Sequence, residues 1–249
     1  MKTLKLLGVI MTYNDADCLH GAIECLLEGH DAVYVFDHGS TDNTREIVAK
    51  YPKVFYENVN RIDWPNFMVP GTNNIHYKIT SFINSQKPNF DWVTWIDSDE
   101  VLTSSNPDMS LREEIEQAHA GGFDCLDATL YEYWMTEDDD PSIQDFRDRI
   151  KHYENKGRGY CGGINRTWKI SFTPRMTEGT LRHTFFHGRN MSPSHLILKH
   201  YPIRTSEQGY KKINEDRQIH EGAGNHYKGA GLGDRKDLAR GKNWGTKDA

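Results

Sequence analysis

Apolar residues along the chain fall into two alternating patterns. The runs LKLLGVIMTY, AVYVFDH, VFYENVN and WVTWIDSD are short, rich in β-branched and aromatic residues, and stop at polar clusters, which predicts strands. Between the first two, Leu19, Ala22, Ile23, Leu26 and Leu27 recur at helical spacing. Between the second and third, STDNTREIVAKY offers cap residues Ser40, Thr41 and Asp42 ahead of Ile47 and Val48. Before the fourth, Ile75, Ile79, Phe82 and Ile83 share one helical face, and Pro88 closes the helix. Strands alternating with helices predict an α/β fold with a mainly parallel central sheet and right-handed crossovers.

Past Asp99 the alternation weakens. SLREEIEQAHAGG reads as a helix with a serine cap and a glycine stop, and DCLDATLYEYW and SHLILKHYPI read as strands. The charge-rich stretch TEDDDPSIQDFRDRIKHYENKGRGYCGGIN between them reads as an insertion or mobile loop rather than core. A short helix is expected around SEQGYKKINEDRQI, and little regular structure from Glu221 to Ala249, where Gly and Lys dominate. No internal repeat is visible.

Composition narrows the class. At 249 residues, 37% hydrophobic and 27% charged, the chain can bury a large core and reads as a soluble protein. No run approaches the ~20 apolar residues that span a bilayer. MKTLKLLGVIMTYN lacks a small-residue cleavage site and fits a strand better than a signal peptide, so a cytoplasmic setting is expected. Cys18, Cys25, Cys125 and Cys161 include no CxxC pair and read as reduced thiols, the first two in the core. The sequons at Asn165 and Asn190 would matter only after secretion. A net charge of −6 disfavours a broad nucleic-acid surface.

In such a sheet, ligands sit beyond the carboxyl ends of the strands. Three polar clusters lie there: Thr12-Tyr13-Asn14-Asp15, Asp37-His38-Gly39-Ser40 and Asp97-Ser98-Asp99-Glu100. The last holds three carboxylates within four positions. Two such groups about 4 Å apart repel by roughly 4 kcal/mol at an effective dielectric near 20, so they must splay into water or share a cation. No G-x-G-x-x-G follows the first strand, which argues against a dinucleotide-binding oxidoreductase. Val101 and Leu102 defeat an EF-hand reading of the acidic run. MTYNDADC lacks the Gly-rich, Arg-containing loop of a sugar nucleotidyltransferase.

VIMTYNDADCL, VYVFDHGSTDNT and WVTWIDSDEVL together resemble the N-terminal half of family 2 glycosyltransferases with the GT-A fold, in order and spacing, over roughly residues 5 to 102. LKHYPIRTSEQGYKKI is similar to a C-terminal element of some of these enzymes. One departure is His38, where the family pattern has a second Asp. The resemblance implies one domain over residues 1–219, with 1–102 holding the nucleotide sugar and 103–219 the acceptor, and 220–249 a tail. It implies hexosyl or pentosyl transfer, with inversion, from a UDP-sugar to the hydroxyl of a glycan or glycoconjugate acceptor, assisted by Mn²⁺ or Mg²⁺.

Residue by residue, the resemblance implies that Asp37 accepts from the nucleobase imide and that Thr12 touches base or ribose, with Tyr13, Asn14 and Ser98 on the same nucleotide side. Asp97 and Asp99, read as lying on one extended segment, address ribose and metal, and His200 is a further candidate ligand. Lys78, Arg204 and Lys211 are candidates for the diphosphate, against a reading as surface cations. Glu137 and Asp138 are candidates for the base that deprotonates the acceptor, from an acidic run that also holds Asp139 and Asp140. Asp145, Asp148 and Glu178 are further carboxylates of ambiguous role. Tyr133 and Trp134 could stack on a sugar or fill core, and Asp63 and Trp64 could line the donor side. The different-class alternative is a non-catalytic carbohydrate-binding or scaffold protein on the same fold.

Overall fold

The computed structural model of the protein describes residues 3–59, 75–158, 164–173, 189–212, 215 and 246–247. In chain order the elements are β1 (Leu6–Thr12), α1 (Leu19–Gly29), β2 (Ala32–Asp37), α2 (Thr44–Val48), β3 (Val54–Asn58), α3 (Ile75–Ser85), β4 (Trp92–Asp97) and β5 (Glu100–Ser104). They continue with α4 (Leu111–Ala120), β6 (Cys125–Trp134), α5 (Phe146–Arg149), β7 (His152–Arg158), β8 (Ile164–Lys169), β9 (Leu196–Ile203), α6 (Ser206–Lys211) and β10 (Thr246–Lys247). The chain forms two compact units, Met1–Leu130 with Gly157–Leu198, and Tyr131–Lys156 with Lys199–Ala249.

The first unit is the α/β body expected from the alternation. Its strands run in the order β6-β8-β4-β1-β2-β3. The pairs β4–β1, β1–β2 and β2–β3 are parallel, and β8 is antiparallel to both neighbours. β1 lies between two partners and is buried from Leu6 to Ile10, which is why its sequence is a continuous apolar run rather than an alternating one. One face of the sheet packs Val9, Phe36, Val93 and Trp95 against Ile75, Ile79 and Ile83 of α3. On the other, α1 approaches so closely that a Cβ built at Gly8 would lie 3.0 Å from Leu26 Cδ1 and 3.2 Å from Val33 Cγ2, so glycine sets that contact.

A buried polar chain ties α1 to the sheet. His30 is buried; its Nδ1 lies 2.9 Å from Leu26 O and its Nε2 2.8 Å from Thr94 Oγ1, which in turn sits 3.1 Å from Thr167 Oγ1. A carbonyl can only accept, so Nδ1 carries the proton and Nε2 takes the Thr94 hydroxyl hydrogen. Burial lowers the imidazole pKa to about 4 and keeps it neutral.

Three sequence expectations change here. α2 has only five residues and its cap position is Asn43, without a side-chain cap bond. The serine and threonine expected to cap it are held by the loop after β1, and Asp42 serves Thr44 through bonds of 3.1 and 2.6 Å. α4 behaves as read: Ser110 and Glu113 form a reciprocal capping box. The second change is β8, an interior strand that the sequence reading passed over. Its buried Arg166 and Thr167 look polar in sequence, but each finds a partner inside the unit.

The third change concerns residues 136–165, expected to be an insertion or loop. They contain α5, β7 and the start of β8, with Phe146, Ile150 and His152 buried. α5 and most of β7 belong to the second unit, where aromatic stacking makes the core. Tyr133 stacks on Tyr201 with ring centroids 4.5 Å apart, Phe146 meets Tyr201 edge-on at 4.8 Å, and Tyr131 stacks on Tyr153 at 4.8 Å. Of the tail, Thr246 and Lys247 pair antiparallel with Tyr153 and His152, and the remainder lies outside the described residues. No described helix is long and apolar enough to cross a membrane.

Candidate active site

The parallel register brings the carboxyl ends of β1, β2 and β4 to one rim: Thr12 pairs with Asp37, and Met11 with Asp97. Thr12 is 2% exposed, and among the described residues its hydroxyl has no hydrogen-bond partner. An unsatisfied buried hydroxyl costs on the order of 1–3 kcal/mol, so one left at a strand tip is a place where a ligand can pay back the desolvation. Beside it, Asp37 is buried and accepts three hydrogen bonds, from Ser40 N at 2.9 Å and Ser40 Oγ at 2.6 Å on one oxygen, and from Tyr56 Oη at 2.6 Å on the other. A carboxylate offers about four acceptor positions, so the described bonds leave room for one more donor. Burial, reinforced by Asp37, raises the Tyr56 phenol, which stays a donor.

Much of the polar signature on this rim is loop architecture. Asn14 adopts φ 52°, in the left-handed region that Asn tolerates better than most residues. Its N–H donates to Ser40 Oγ at 2.8 Å, and its Oδ1 accepts from Thr41 N at 2.8 Å. Ala16 N donates to Asp42 Oδ2 at 3.0 Å. The loops after β1 and β2 are thereby knitted together, and Asn14, expected on the nucleotide side, has an evident structural duty. Tyr13 meets the buried His38 ring edge-on, with centroids 6.4 Å apart.

The acidic cluster departs from the expected extended segment. β4 ends at Asp97, Ser98 and Asp99 form a turn, and β5 begins at Glu100. Ser98 is buried, donating its Oγ to Asp15 Oδ2 at 2.9 Å and its N–H to Met11 O at 3.0 Å. The three carboxylates are not equivalent. Glu100 turns inward, forms a buried ion pair with Arg166 of β8, and accepts the Asp97 N–H on its other oxygen at 2.9 Å. Asp97 keeps 29% of its side chain exposed, and Asp99 is 6% exposed. Asp97 and Asp99 offer only hard oxygen donors, which suits Mn²⁺ or Mg²⁺ and not a thiophilic ion. Asp15, Asp17 and Cys18 also bring ligand atoms within 4.8 Å of one another at this rim. The Cys18 thiol, however, lies against the carbonyls of Ser98 (3.3 Å) and Asp15 (3.5 Å), where it acts as a donor.

Lys78 is half-buried on α3 in the same unit. The remaining candidates belong to the second unit. Glu137 and Asp138 are exposed on the turn after β6, and Asp138 lies 3.8 Å from His152 Nε2. Their neighbour Asp139 is half-buried and accepts the Thr136 N–H at 2.7 Å; burial pushes its carboxyl above the usual carboxylate range. Asp145 caps α5 and pairs with Arg147 at 2.6 Å, a structural role, and Asp140 and Asp148 are exposed. Tyr133 and Trp134 are buried core.

His200 Nδ1 lies 3.7 Å from Glu132 Oε1, with Lys156 3.5 Å from the other carboxylate oxygen. Burial pushes Glu132 up, but His200 and Lys156 outweigh it and hold the carboxyl below its usual range. Arg204, weighed as a surface cation, is instead buried, with Nη1 2.9 Å from Tyr201 O. Lys211 is exposed at the end of α6. Asp63, Trp64, Cys161 and Glu178 lie outside the described residues.

Sequence reasoning missed Arg166, Tyr56 and the inward role of Glu100. Arg166 had a readable signal, a charge two residues from Trp168 in a β-prone run, which the sequence reading left unassigned.

Residues 9–177 match the family model described as Glycosyl transferase family 2. No curated protein matches the chain. Among solved structures, glucosyl-3-phosphoglycerate synthase from Mycobacterium tuberculosis in complex with Mn²⁺ and UDP-glucose is 20% identical, with a TM-score of 0.29 over 39% of this chain and 34% of that one. The same enzyme with Mn²⁺, UDP and glucosyl-3-phosphoglycerate is 15% identical, with a TM-score of 0.34 over 68% of this chain and 58% of that one. A mycobacterial protein matches with 14% identity and a TM-score of 0.41 over 80% of this chain and 65% of its own. The chain thus spans about a third of the synthase in the first of these matches.

Proposed function

The chain belongs to glycosyl transferase family 2, and on that premise we propose that it transfers a sugar from a UDP-sugar donor to an acceptor hydroxyl with inversion at the anomeric carbon. The observation that carries the donor half is the rim itself: an unsatisfied Thr12 hydroxyl in register with Asp37, one strand away from Asp97. Asp37 takes the nucleobase N–H on its remaining acceptor position, and Thr12 donates to or accepts from base or ribose. Ser98 and Asn14 hold the loops in shape.

Asp97 and Asp99 would hold Mn²⁺ or Mg²⁺, which when bound supplies Lewis-acid compensation for the charge that develops on the departing diphosphate. The roles that family resemblance implies for Lys78, His200, Arg204 and Lys211 belong to the same proposal. Glu137 and Asp138 are the candidates for the base, joined by their neighbour Asp139, whose carboxyl burial raises and so suits to accepting a proton near neutral pH.

Incubation with a panel of nucleotide sugars and Mn²⁺ tests the reading, with slow donor hydrolysis followed by release of UDP. Turnover of at least one UDP-sugar, lost in Asp99→Asn, is the expected result. Donor binding without turnover of any sugar would contradict it.

A further inference from the structure

Arg166 sits on β8, one residue before the Thr167 that pairs with Thr94 of β4. Its guanidinium is buried, and Nη2 is shared unequally: it forms an ion pair with Glu100 Oε1 and lies 3.8 Å from Asp97 Oδ2. Glu100 bridges the turn, since its second oxygen accepts the Asp97 N–H at 2.9 Å. Among the described residues two carboxylates pair with this guanidinium, and the closer bond goes to the one that is not a candidate ligand. The Glu100 side chain is 5% exposed, so its charge is poorly screened and binds Arg166 in preference to the more exposed Asp97.

We propose that Glu100 is a positioning residue that holds Arg166 closely and caps the turn, so that Asp97, left with the longer 3.8 Å ion pair to the guanidinium, is presented to a divalent cation rather than bound tightly by Arg166. The inference rests on the reading of Asp97 and Asp99 as the cation site. It makes the third carboxylate of the cluster part of the site's support. It also explains why a strand between β4 and β6 carries a buried arginine at this level.

The logic yields an asymmetry that a purely structural role would not. In Glu100→Gln the amide oxygen can still accept the Asp97 N–H, but the charge that held Arg166 is gone, and the guanidinium turns to Asp97. Mn²⁺ binding to the full chain, measured by the EPR signal of free Mn²⁺ with and without UDP, is expected to weaken at least about tenfold, in the range typical for loss of an outer partner of a metal ligand. Removing the competitor as well, in Glu100→Gln/Arg166→Gln, is expected to restore most of the affinity.

Glu100→Asp serves as the second variant should Glu100→Gln not fold. Its shorter side chain cannot serve Arg166 and the Asp97 N–H together, and the same weakening and the same rescue by Arg166→Gln are expected. Wild-type affinity in a folded single variant, or a double variant no tighter than the single one, would overturn the proposal while leaving the cation site intact. Absence of Mn²⁺ binding in the wild-type chain would overturn both this inference and the reading beneath it.

Discussion

The buried His30 makes the fold acid-sensitive in a window set by one residue. In the unfolded chain an imidazole takes a proton near pH 6.5, whereas in the fold burial holds its pKa at about 4. A depressed folded value means that the unfolded state binds the proton first, so the contribution is fully present above about pH 6.5 and is lost as pH falls towards 4. The gap between 6.5 and about 4, at about 1.4 kcal/mol per pH unit, caps the loss at about 3–4 kcal/mol. Most of it, about 2–3 kcal/mol, is gone by about pH 4.5. That is a large part of the roughly 5–15 kcal/mol that stabilises an ordinary domain.

Urea unfolding of the wild-type chain and of His30→Gln at pH 7.5 and at pH 4.5 isolates the effect. Other carboxylates titrate alike in both proteins, so the difference between their pH responses belongs to His30. The variant is expected to start less stable, because the bonds to Leu26 O and Thr94 Oγ1 are disturbed, and to lose about 2–3 kcal/mol less on acidification. Equal losses in the two proteins, or an NMR titration of His30 near 6.5 in the folded chain, would refute the reasoning.

Two further outcomes are expected at the site. Thr12→Val removes a buried hydroxyl with no described partner, so its melting temperature should be unchanged or higher while UDP affinity measured by calorimetry falls; a destabilised variant with normal UDP affinity would assign Thr12 to the fold instead. If Asp139 is the base, kcat/KM should collapse in Asp139→Asn, and the wild-type profile should lose activity as pH falls through a pKa above the usual carboxylate range, because only the ionised form accepts a proton; a fully active Asp139→Asn would exclude it.

The parallel half of the first unit was legible because β1, β2 and β4 are apolar runs that end in polar clusters, and α1 and α3 carry an unmistakable periodicity. Thr12, Asp37 and Asp97 fall on one rim because parallel strands in register must end together, which strand prediction alone implies. What the sequence hid was polarity inside. β8 was passed over because Arg166 and Thr167 are hydrophilic, and only their partners Glu100 and Thr94, more than sixty residues away, allow their burial. The segment around α5 and β7 was obscured in the same way by its density of charge, although Phe146 and Ile150 anchor it. The acidic turn was recognised as a group, but which carboxylate faces inward depends on β8, a strand that the reading had not placed.

The central claim is that Asp97 and Asp99 hold the divalent ion through which a UDP-sugar is bound beside Thr12 and Asp37. Isothermal titration of UDP into the full chain tests it most directly, with Mn²⁺, with EDTA, and in Asp99→Asn with Mn²⁺. The account predicts tight UDP binding only in the wild-type chain with Mn²⁺, and an Asp99→Asn variant that melts as the wild type does yet binds UDP no better than the EDTA-treated protein. Equal UDP affinity under all three conditions, or no UDP binding in any, would contradict it.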